Sequence, residues 1–300
     1  MSPSPRGPSL AVVVCTLGRP SRLGPLVSDV CAQLADGDEL LVVDQSAGAA
    51  AADGRRAVEA VSGARWMAHH PAGLPGARNR AFGATEADVL LFLDDDVHLH
   101  PMCLDGHRRP YADAQVGGVV GRIVEQRLQA NAPTLRNEVG RDGRIRTRLD
   151  GMEPGTVASL KGANMSLRRE ALAMAGPFEE ALGGTALLED AELSERVVHH
   201  GWQLRFAPDA AVDHDHDPQG GVRQGTSMAT LQARFRNTGF FLGRHRPRRD
   251  LPLVWAAYTA VALRHGGLLA APQLLRALAL GWWEGRSTPW PTWPVGSDTR

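Results

Sequence analysis

The sequence predicts an α/β fold, with a mostly parallel, Rossmann-like sheet flanked by helices and a C-terminal helical appendage. Three observations predict it. Strand-like and helical segments alternate over residues 10–93, an apolar run at 89–93 leads directly into three acids, and residues 223–283 combine arginines with helically spaced apolar residues. A chain of 300 residues can hold one large α/β domain with an appendage, or two small domains.

The first half of the chain alternates strands with helices. Apolar runs bounded by turn residues predict strands at residues 10–15, 39–43, 65–68 and 89–93. The intervening segments predict helices over residues 20–34, 49–62 and 77–84. A β-α-β-α-β-α-β order argues for a mostly parallel sheet with helices on both faces.

Three consecutive acids, Asp94-Asp95-Asp96, follow the fourth predicted strand. The carboxyl ends of parallel strands form the rim at which open α/β sheets bind ligands. Because adjacent carboxylates repel one another, we expect a positive partner at this rim. A hard divalent cation shared with phosphate oxygens suits such ligands. The alternative interpretation is a solvated acidic turn.

Two earlier strand ends carry residues suited to a nucleotide. Thr16 follows the first strand and Asp44 follows the second. A carboxylate at such a rim can accept hydrogen bonds from a base or a ribose, although Asp after a strand also commonly caps a turn. Loop 71–80 places Arg78 near a helix start, where backbone N–H groups can face a phosphate. The sequence contains neither a dinucleotide-binding glycine fingerprint nor a P-loop.

Two other clusters have catalytic or metal-binding residue types. Glu189-Asp190 begins a helical pattern that Gly201 ends, and a carboxylate there is either a candidate general base or a helix N-cap. The run Asp213-His214-Asp215-His216-Asp217 combines two metal-ligand types, with a polar solvated turn as the alternative.

Taken together, these motifs resemble the inverting family 2 glycosyltransferases, which have the nucleotide-sugar-binding GT-A fold. The motifs that carry the resemblance are a first strand ending in Thr16, Val43-Asp44-Gln45-Ser46, Gly76-Ala77-Arg78-Asn79, Leu93-Asp94-Asp95-Asp96, Lys161-Gly162-Ala163-Asn164, Gly176-Pro177-Phe178 and Leu188-Glu189-Asp190. They cover residues 10–217. The Gln-x-x-Arg-Trp signature of processive members is missing, since residues 232–236 read Gln-Ala-Arg-Phe-Arg, and this favours addition of a single sugar.

The resemblance also implies roles for single residues. Asp190 is the expected general base, and Glu189 is expected to support the acceptor. Asp96 and His214 are expected to hold a divalent metal, Mg or Mn, with His216 as the second choice to His214. The residues expected to bind the nucleotide sugar are Thr16, Asp44, Arg78, Asn79, Asp94 and Asp95. Among these, Asp95 is expected to contact the ribose, Asp94 to orient the loop, and Arg78 to lie beside the base.

The function that the resemblance implies is metal-dependent, inverting transfer of one sugar from a nucleotide-diphospho-sugar to an acceptor hydroxyl. Cell-envelope, polysaccharide or glycoconjugate synthesis is the expected setting. A sugar nucleotidyltransferase or a metal-dependent phosphohydrolase using the same acids is one alternative. A non-catalytic sugar-nucleotide-binding protein is another.

The chain divides into four predicted parts. Residues 1–9 are expected to be disordered. Residues 10–217 form the predicted GT-A domain, with a nucleotide-binding half at 10–100 and an acceptor half at 101–217. Residues 218–286 form the predicted basic, amphipathic helical appendage, and residues 287–300 a loose tail.

The appendage suggests contact with an anionic membrane. Residues 223–249 contain seven arginines and no acid, and the apolar segments that follow include Trp282 and Trp283. The alternative is a helical layer that only packs on the catalytic domain. The acceptor is accordingly expected to be a glycan or a lipid-linked molecule.

Composition favours a cytoplasmic protein. A peripheral position on the inner face of the plasma membrane is the more specific expectation. Three cysteines show no metal or disulfide spacing, and the N-terminus has no signal-peptide core. The apolar run at 251–263 is too short to span a bilayer, which takes about 20 residues. A formal net charge of zero provides no signal for nucleic acid.

Overall fold

A computed structural model describes residues 7–124, 135–215 and 227–294. Its strands are β1 (Leu10–Thr16), β2 (Glu39–Asp44), β3 (Ala64–Ala68), β4 (Val89–Leu93), β5 (Val97–Leu99), β6 (Val116–Val124), β7 (Arg136–Val139), β8 (Ile145–Arg148), β9 (Gly155–Thr156), β10 (Asn164–Arg168) and β11 (Gln203–His214). Its helices are α1 (Pro20–Cys31), α2 (Gly48–Glu59), α3 (Leu74–Phe82), α4 (Cys103–Arg108), α5 (Arg169–Ala175), α6 (Glu189–His199), α7 (Met228–His245) and α8 (Leu251–Ser287).

Within these described ranges, nine strands form the central sheet, in the order β3-β2-β1-β4-β10-β6-β11-β5, with β9 added to β11. The four strands β3, β2, β1 and β4 run parallel. Strand β10 is antiparallel to both of its neighbours, whereas β6 and β11 are parallel to each other. Strand β4 is apolar throughout and β1 is apolar up to Thr16, and both are buried along almost their whole length, as expected for strands covered by helices on both faces. The mostly parallel, helix-flanked sheet predicted from the sequence is confirmed.

The element boundaries differ from the expected ones for local reasons. Helix α3 begins at Leu74 rather than at residue 77, because Pro75 sits in its first turn, where no backbone N–H is needed. Strand β11 continues through Pro208, although proline has no backbone N–H to donate within a sheet. The pairing of β11 with β6 shifts register between Ala207 and Val212, and such an irregularity accommodates a proline within a strand.

The C-terminal helices α7 and α8 pack backbone against backbone. An added Cβ on Gly239 or Gly243 of α7 would overlap main-chain atoms of α8, and an added Cβ on Gly281 or Gly285 of α8 would overlap those of α7. The glycines are four residues apart on each helix, so each pair lies on one face. Helix α8 is itself interrupted at Gly267, whose φ of 60° is non-helical, so it consists of two arms.

Residues 288–294 make defined contacts, in contrast to the loose tail expected over 287–300. The indole of Trp293 stacks on Phe82 at a centroid distance of 4.2 Å and donates a hydrogen bond of 3.3 Å to the carbonyl of Leu172. The Pro and Ser/Thr content of residues 287–300 favours a loose tail. Composition does not reveal a stacking partner elsewhere in the chain. Residues 295–300 lie outside the described part.

In the described ranges, no helix combines the length and the apolar character needed to cross a membrane.

The glycine contact between α7 and α8 generates a stability prediction. Replacing Gly239 by Ala introduces a methyl group where the α8 backbone already lies, so we expect a loss of about 1–3 kcal/mol of unfolding free energy. The matched control is Gly24→Ala in α1, since no atom lies within 4 Å of its added Cβ, and we expect it to stabilise by about 0.5–1 kcal/mol. Urea denaturation followed by circular dichroism measures both. Equal effects of the two variants, or a stabilising effect of Gly239→Ala, would contradict the close packing.

Candidate active site

The parallel register of the first strands brings the predicted rim residues together. Thr16 at the end of β1 pairs in register with Asp44 at the end of β2. The neighbouring strand β4 ends at Leu93, so Asp94, Asp95 and Asp96 follow at the same edge. The Thr16 hydroxyl donates a hydrogen bond of 2.6 Å to Asp95 Oδ2. Thr16 therefore orients the acidic loop in addition to lining the rim.

The Asp95 carboxylate is buried and multiply bonded. Burial raises its pKa above the ordinary value, while hydrogen bonds from Thr16 and the charge of Arg19 act in the opposite direction. Arg19 Nη1 lies 2.6 Å from Asp95 Oδ1 and 3.2 Å from Asp96 Oδ2. Arg19 belongs to the loop between β1 and α1, and sequence reasoning missed it. The available signal was a cation directly after Gly18, three residues beyond the end of β1 at the predicted ligand rim.

Asp94, Asp96 and His214 form a group that could hold a metal ion. One ligand atom from each residue lies within 4.8 Å of the others. His214 reaches this group because β11 pairs with the short strand β5, placing it opposite Val97. Its Nε2 lies 3.2 Å from Asp96 Oδ1. Two carboxylates and an imidazole suit a divalent cation such as Mn²⁺ or Mg²⁺ that keeps positions open for phosphate oxygens. His216, the second choice, lies outside the described residues.

Asp44 is almost fully buried, and its carboxylate has two internal partners. Its Oδ1 accepts a hydrogen bond of 2.8 Å from the Ser46 backbone, and its Oδ2 accepts one of 3.2 Å from the Trp66 indole. The turn-capping alternative is therefore present in the structure. Ser46 in turn accepts a hydrogen bond of 2.8 Å from Gly18 N, which ties the β2 loop to the β1 loop.

Arg78 is held among protein groups. Its guanidinium is 2% exposed and lies over the rings of Phe92 and Phe178, which contact each other edge to face. It donates a hydrogen bond of 2.8 Å to Glu189, and its Nη2 is 3.9 Å from Asp94 Oδ1. The expected contact of Arg78 with a nucleotide base stays a prediction. In this structure Arg78 connects the acidic loop after β4 with the start of α6.

Asn79 is also held by protein groups. Its amide donates to the Phe178 carbonyl at 3.0 Å and accepts from the Phe178 N–H at 2.7 Å, and it also donates to Glu180. These contacts fix the loop that precedes α6. Asn79 faces a separate cavity, walled by Phe82 and Trp293, and so does not join the rim of acids. Successive residues of an α-helix are rotated by about 100° around the helix axis. Asn79 therefore points in a different direction from the buried Arg78.

Asp190 lies in the first turn of α6 and is nearly buried. Its Oδ2 accepts a hydrogen bond of 2.9 Å from Gly162 N, and its Oδ1 accepts one of 2.8 Å from Ala191 N. The N-cap itself is Leu188, held in a left-handed conformation with φ of 72°. Such a conformation in a residue other than glycine is strained and is often associated with functional sites. Asp190 lines a small cavity that Lys161 and Ile145 also line.

Glu189 is fully buried, with its carboxylate on Arg78. Its expected contact with an acceptor stays a prediction. Glu189 supports the helix start that carries Asp190, because its charge is balanced by the guanidinium beneath it.

A second buried ionic cluster lies one turn further along α6. Glu192 is contacted by Arg196 at 2.7 Å, by Arg244 at 2.9 Å and by His245 at 3.3 Å. Burial would raise the pKa of Glu192, but the His245 hydrogen bond and the Arg196 charge outweigh it and hold that pKa at about 2. Arg244 and His245 belong to the last turn of α7. This cluster therefore attaches the C-terminal helices to the helix that carries Asp190.

The site thus has two chemically distinct parts. One is a rim of carboxylates with an imidazole, able to hold a cation and a phosphate group. The other is Asp190, an oriented carboxylate in a cavity of its own, able to accept a proton from a hydroxyl.

Comparisons with known proteins identify the family and the fold. The sequence profile of the family described as "Glycosyltransferase like family 2" matches residues 5–239. The chain is 30% identical over 160 residues to the pre-mycofactocin glycosyltransferase of Mycobacterium tuberculosis, in strains CDC 1551 / Oshkosh and H37Rv. The aligned region covers 50% of this chain and 32% of those relatives, so the chain spans about a third of their length.

Similar solved structures include two glycosyltransferases. The mannosyltransferase PcManGT from Pyrobaculum calidifontis, in complex with GDP-Man and Mn²⁺, aligns with a TM-score of 0.57 at 16% identity, covering 95% of this chain and 77% of its own. GalNAc-T7 with UDP, GalNAc and Mn²⁺ aligns with a TM-score of 0.65 at 16% identity, covering 94% of this chain and 56% of its own. At this identity the likeness concerns the fold. Because the family profile matches most of the chain and the fold is that of GT-A enzymes, the chain belongs to the glycosyltransferase-like family 2.

Proposed function

We propose that this protein is a metal-dependent inverting glycosyltransferase that moves one sugar from a nucleotide-diphospho-sugar to an acceptor hydroxyl. The observation that carries the proposal is the arrangement of a metal-capable group, Asp94, Asp96 and His214, together with a separately held carboxylate, Asp190. Family membership adds to it. The presence of Mn²⁺ with GDP-Man in PcManGT, and with UDP in GalNAc-T7, is consistent with a divalent metal and a nucleotide donor.

The donor binds along the rim at the ends of β1, β2 and β4 in this proposal. Asp95 accepts hydrogen bonds from the ribose, and Thr16 keeps that carboxylate oriented. Asp44 lies at the adjacent strand end, near the base. Asp96 and His214 hold the metal, Mg²⁺ or Mn²⁺, with Asp94 beside them. When bound, this metal supplies Lewis-acid stabilisation of the negative charge that develops on the diphosphate.

Asp190 acts on the acceptor. Two backbone N–H groups orient its carboxylate, which accepts the proton of the acceptor hydroxyl. The acceptor oxygen then forms a bond to the anomeric carbon while the bond from that carbon to the phosphate oxygen breaks. Because a single displacement needs no enzyme nucleophile, the configuration at the anomeric carbon inverts. Arg78 and Glu189 position this carboxylate from below.

The cavity beside Asp190 is small, and Glu138 and Lys161 are among the polar residues that line it. Its apolar lining includes Val139, Ile145 and Leu187. The β7–β8 hairpin, which provides two of these residues, contacts α8, where the Tyr258 hydroxyl donates a hydrogen bond of 3.0 Å to the Gly143 carbonyl. The acceptor side is thus continuous with the C-terminal helices. A lipid-linked or glycan acceptor of the cell envelope fits this arrangement.

The same helices expose apolar residues suited to peripheral contact with an anionic membrane on the cytoplasmic side. Leu268 and Leu269 follow the break at Gly267 and are 84% and 93% exposed. Arg264 and Arg276 flank them in the sequence. Exposed leucines next to cations are typical of surfaces that enter a membrane interface.

The alternatives make different use of the same acids. A nucleotidyltransferase or a phosphohydrolase needs the metal-capable rim but has no need of Asp190 on a separate cavity, and a binding protein needs no base at all. One assay separates them: a panel of nucleotide sugars with Mn²⁺ is tested for acceptor-dependent release of nucleoside diphosphate. Nucleotide release that never depends on an acceptor hydroxyl would favour hydrolysis.

The first prediction concerns the metal. Exhaustive chelation should abolish transfer, and added Mn²⁺ or Mg²⁺ should restore it, because the diphosphate loses its positive partner. Asp96→Asn should raise the metal concentration needed for half-maximal activity, since one anionic ligand becomes neutral. Activity that persists in full after chelation would exclude a metal role.

The second prediction concerns the base. Asp190→Asn should leave donor affinity, measured by calorimetry, close to that of the wild type while lowering turnover by roughly 10²–10⁴-fold, the usual contribution of a general base. The matched control is Glu170→Gln, an exposed acid in the first turn of α5, which should leave turnover unchanged. Unaltered turnover in the Asp190 variant would assign that residue to helix-end stabilisation alone.

The third prediction concerns the membrane. The protein should sediment with anionic vesicles at low salt, because each basic residue near the surface contributes about 1 kcal/mol. Part of this binding should survive high salt through apolar insertion, and Leu268→Ser with Leu269→Ser should remove that part. Met174→Ser, an equally simple change at an exposed position of α5, is the control. A wild-type protein that stays in the supernatant at low salt would refute membrane docking.

A further inference from the structure

A cation from the protein itself already occupies the acidic rim. Arg19 Nη1 lies between two carboxylates, 2.6 Å from Asp95 Oδ1 and 3.2 Å from Asp96 Oδ2. Its side chain is 12% exposed, and the two carboxylates are 5% and 6% exposed. At such burial, ionic hydrogen bonds are less screened by water than those on a surface.

Both oxygens of Asp96 are engaged by neighbouring cationic or imidazole groups. Arg19 contacts Oδ2, and His214 contacts Oδ1 at 3.2 Å. Asp96 is also a member of the group that could hold a metal ion. A divalent cation that binds Asp96 must therefore displace or weaken one of these contacts, and it also approaches the positive charge of Arg19.

We propose that Arg19 is a tethered counter-ion of the donor-free site, which the metal and the donor diphosphate displace together. Arg19 thereby opposes the binding of metal alone and makes metal binding depend on the nucleotide. This inference rests on the proposed function, since it concerns the same rim and metal. Arg19 is a positioning residue in this role, because it acts through the Asp95 and Asp96 carboxylates.

The donor diphosphate provides the anionic group that Arg19 binds after it leaves Asp96. The guanidinium that leaves Asp96 gains a new anionic partner in a phosphate group, whose oxygens match it in bidentate geometry. The loop itself has little need to move. Gly18 N donates a hydrogen bond of 2.8 Å to Ser46, and Gln45 N donates one of 2.9 Å to the Thr16 carbonyl. The long Arg19 side chain can therefore rotate on a fixed backbone.

Direct metal binding tests this role without any catalytic readout. Free Mn²⁺ is measured by electron paramagnetic resonance during titration of the 300-residue protein, with no nucleotide, with UDP and with GDP. The variants are Arg19→Ala and Arg19→Gln, the second of which retains length and polarity. The matched control is Arg22→Gln, because Arg22 is close in sequence and pairs with Asp215 at 2.7 Å.

The wild type should bind Mn²⁺ weakly alone and more tightly with one of the nucleotides. Both Arg19 variants should bind Mn²⁺ alone more tightly than the wild type, by about 5- to 150-fold, the usual range of coupling between two bound ligands. Nucleotide should then add less to their Mn²⁺ affinity, and Arg22→Gln should behave as the wild type. Thermal unfolding without metal verifies that each variant is folded.

Two results would overturn the inference, and they differ from failure of the proposed function. Equal or weaker Mn²⁺ binding by folded Arg19 variants would show that Arg19 does not compete with the metal. An equal gain in the Arg22→Gln control would assign the effect to general charge at the rim. Absence of Mn²⁺ binding in every protein and condition would instead remove the metal site itself, and with it the proposed metal-dependent mechanism.

Discussion

The buried ion pair between Arg78 and Glu189 is the interaction on which the site geometry depends. Neither side chain has appreciable contact with water, and their atoms approach to 2.8 Å. Removing one member of such a pair leaves an uncompensated charge and typically costs about 3–5 kcal/mol. The same guanidinium also approaches Asp94, in the acidic loop after β4. A single cation therefore sets the relative position of the rim that would hold the donor and the helix that carries Asp190.

Helix α6 is also held one turn further along by a separate set of charges. Glu192 accepts contacts from Arg196 within its own helix and from Arg244 and His245 of α7. The first turn, with Asp190, thus lies between two buried ionic clusters and follows a strained Leu188. Reactions that align two molecules tolerate little misplacement, and an error of 1 Å can cost about a hundredfold in rate. The concentration of buried charge around this helix is consistent with such a demand.

Much of the fold could be predicted from the sequence because its signals are local. The strands β1, β2 and β4 are apolar runs followed by polar residues, and parallel pairing then places Thr16 and Asp44 side by side. The positions of arginine side chains could not be predicted in this way. Arg78 finds its partner 111 residues further along the chain, and Arg19 finds its partner 76 residues further along. The local sequence around an arginine is the same whether its side chain faces a nucleotide or a buried carboxylate. Only the folded structure distinguishes these two positions.

The glycine contact between α7 and α8 has a mechanical consequence. Side chains at a helix interface can change rotamer and allow sliding, whereas two backbones in direct contact at Gly239 and Gly285 have no such compliance. Helix α7 and the second arm of α8 should therefore behave as one rigid unit, and Arg244 fixes that unit to Glu192 of α6. If the end of this arm at Leu268 rests on a lipid surface, the rigid unit sets the depth and tilt of the whole enzyme. The distance between the active site and the bilayer would then be fixed. The enzyme would select acceptors whose hydroxyl lies at that distance from the membrane.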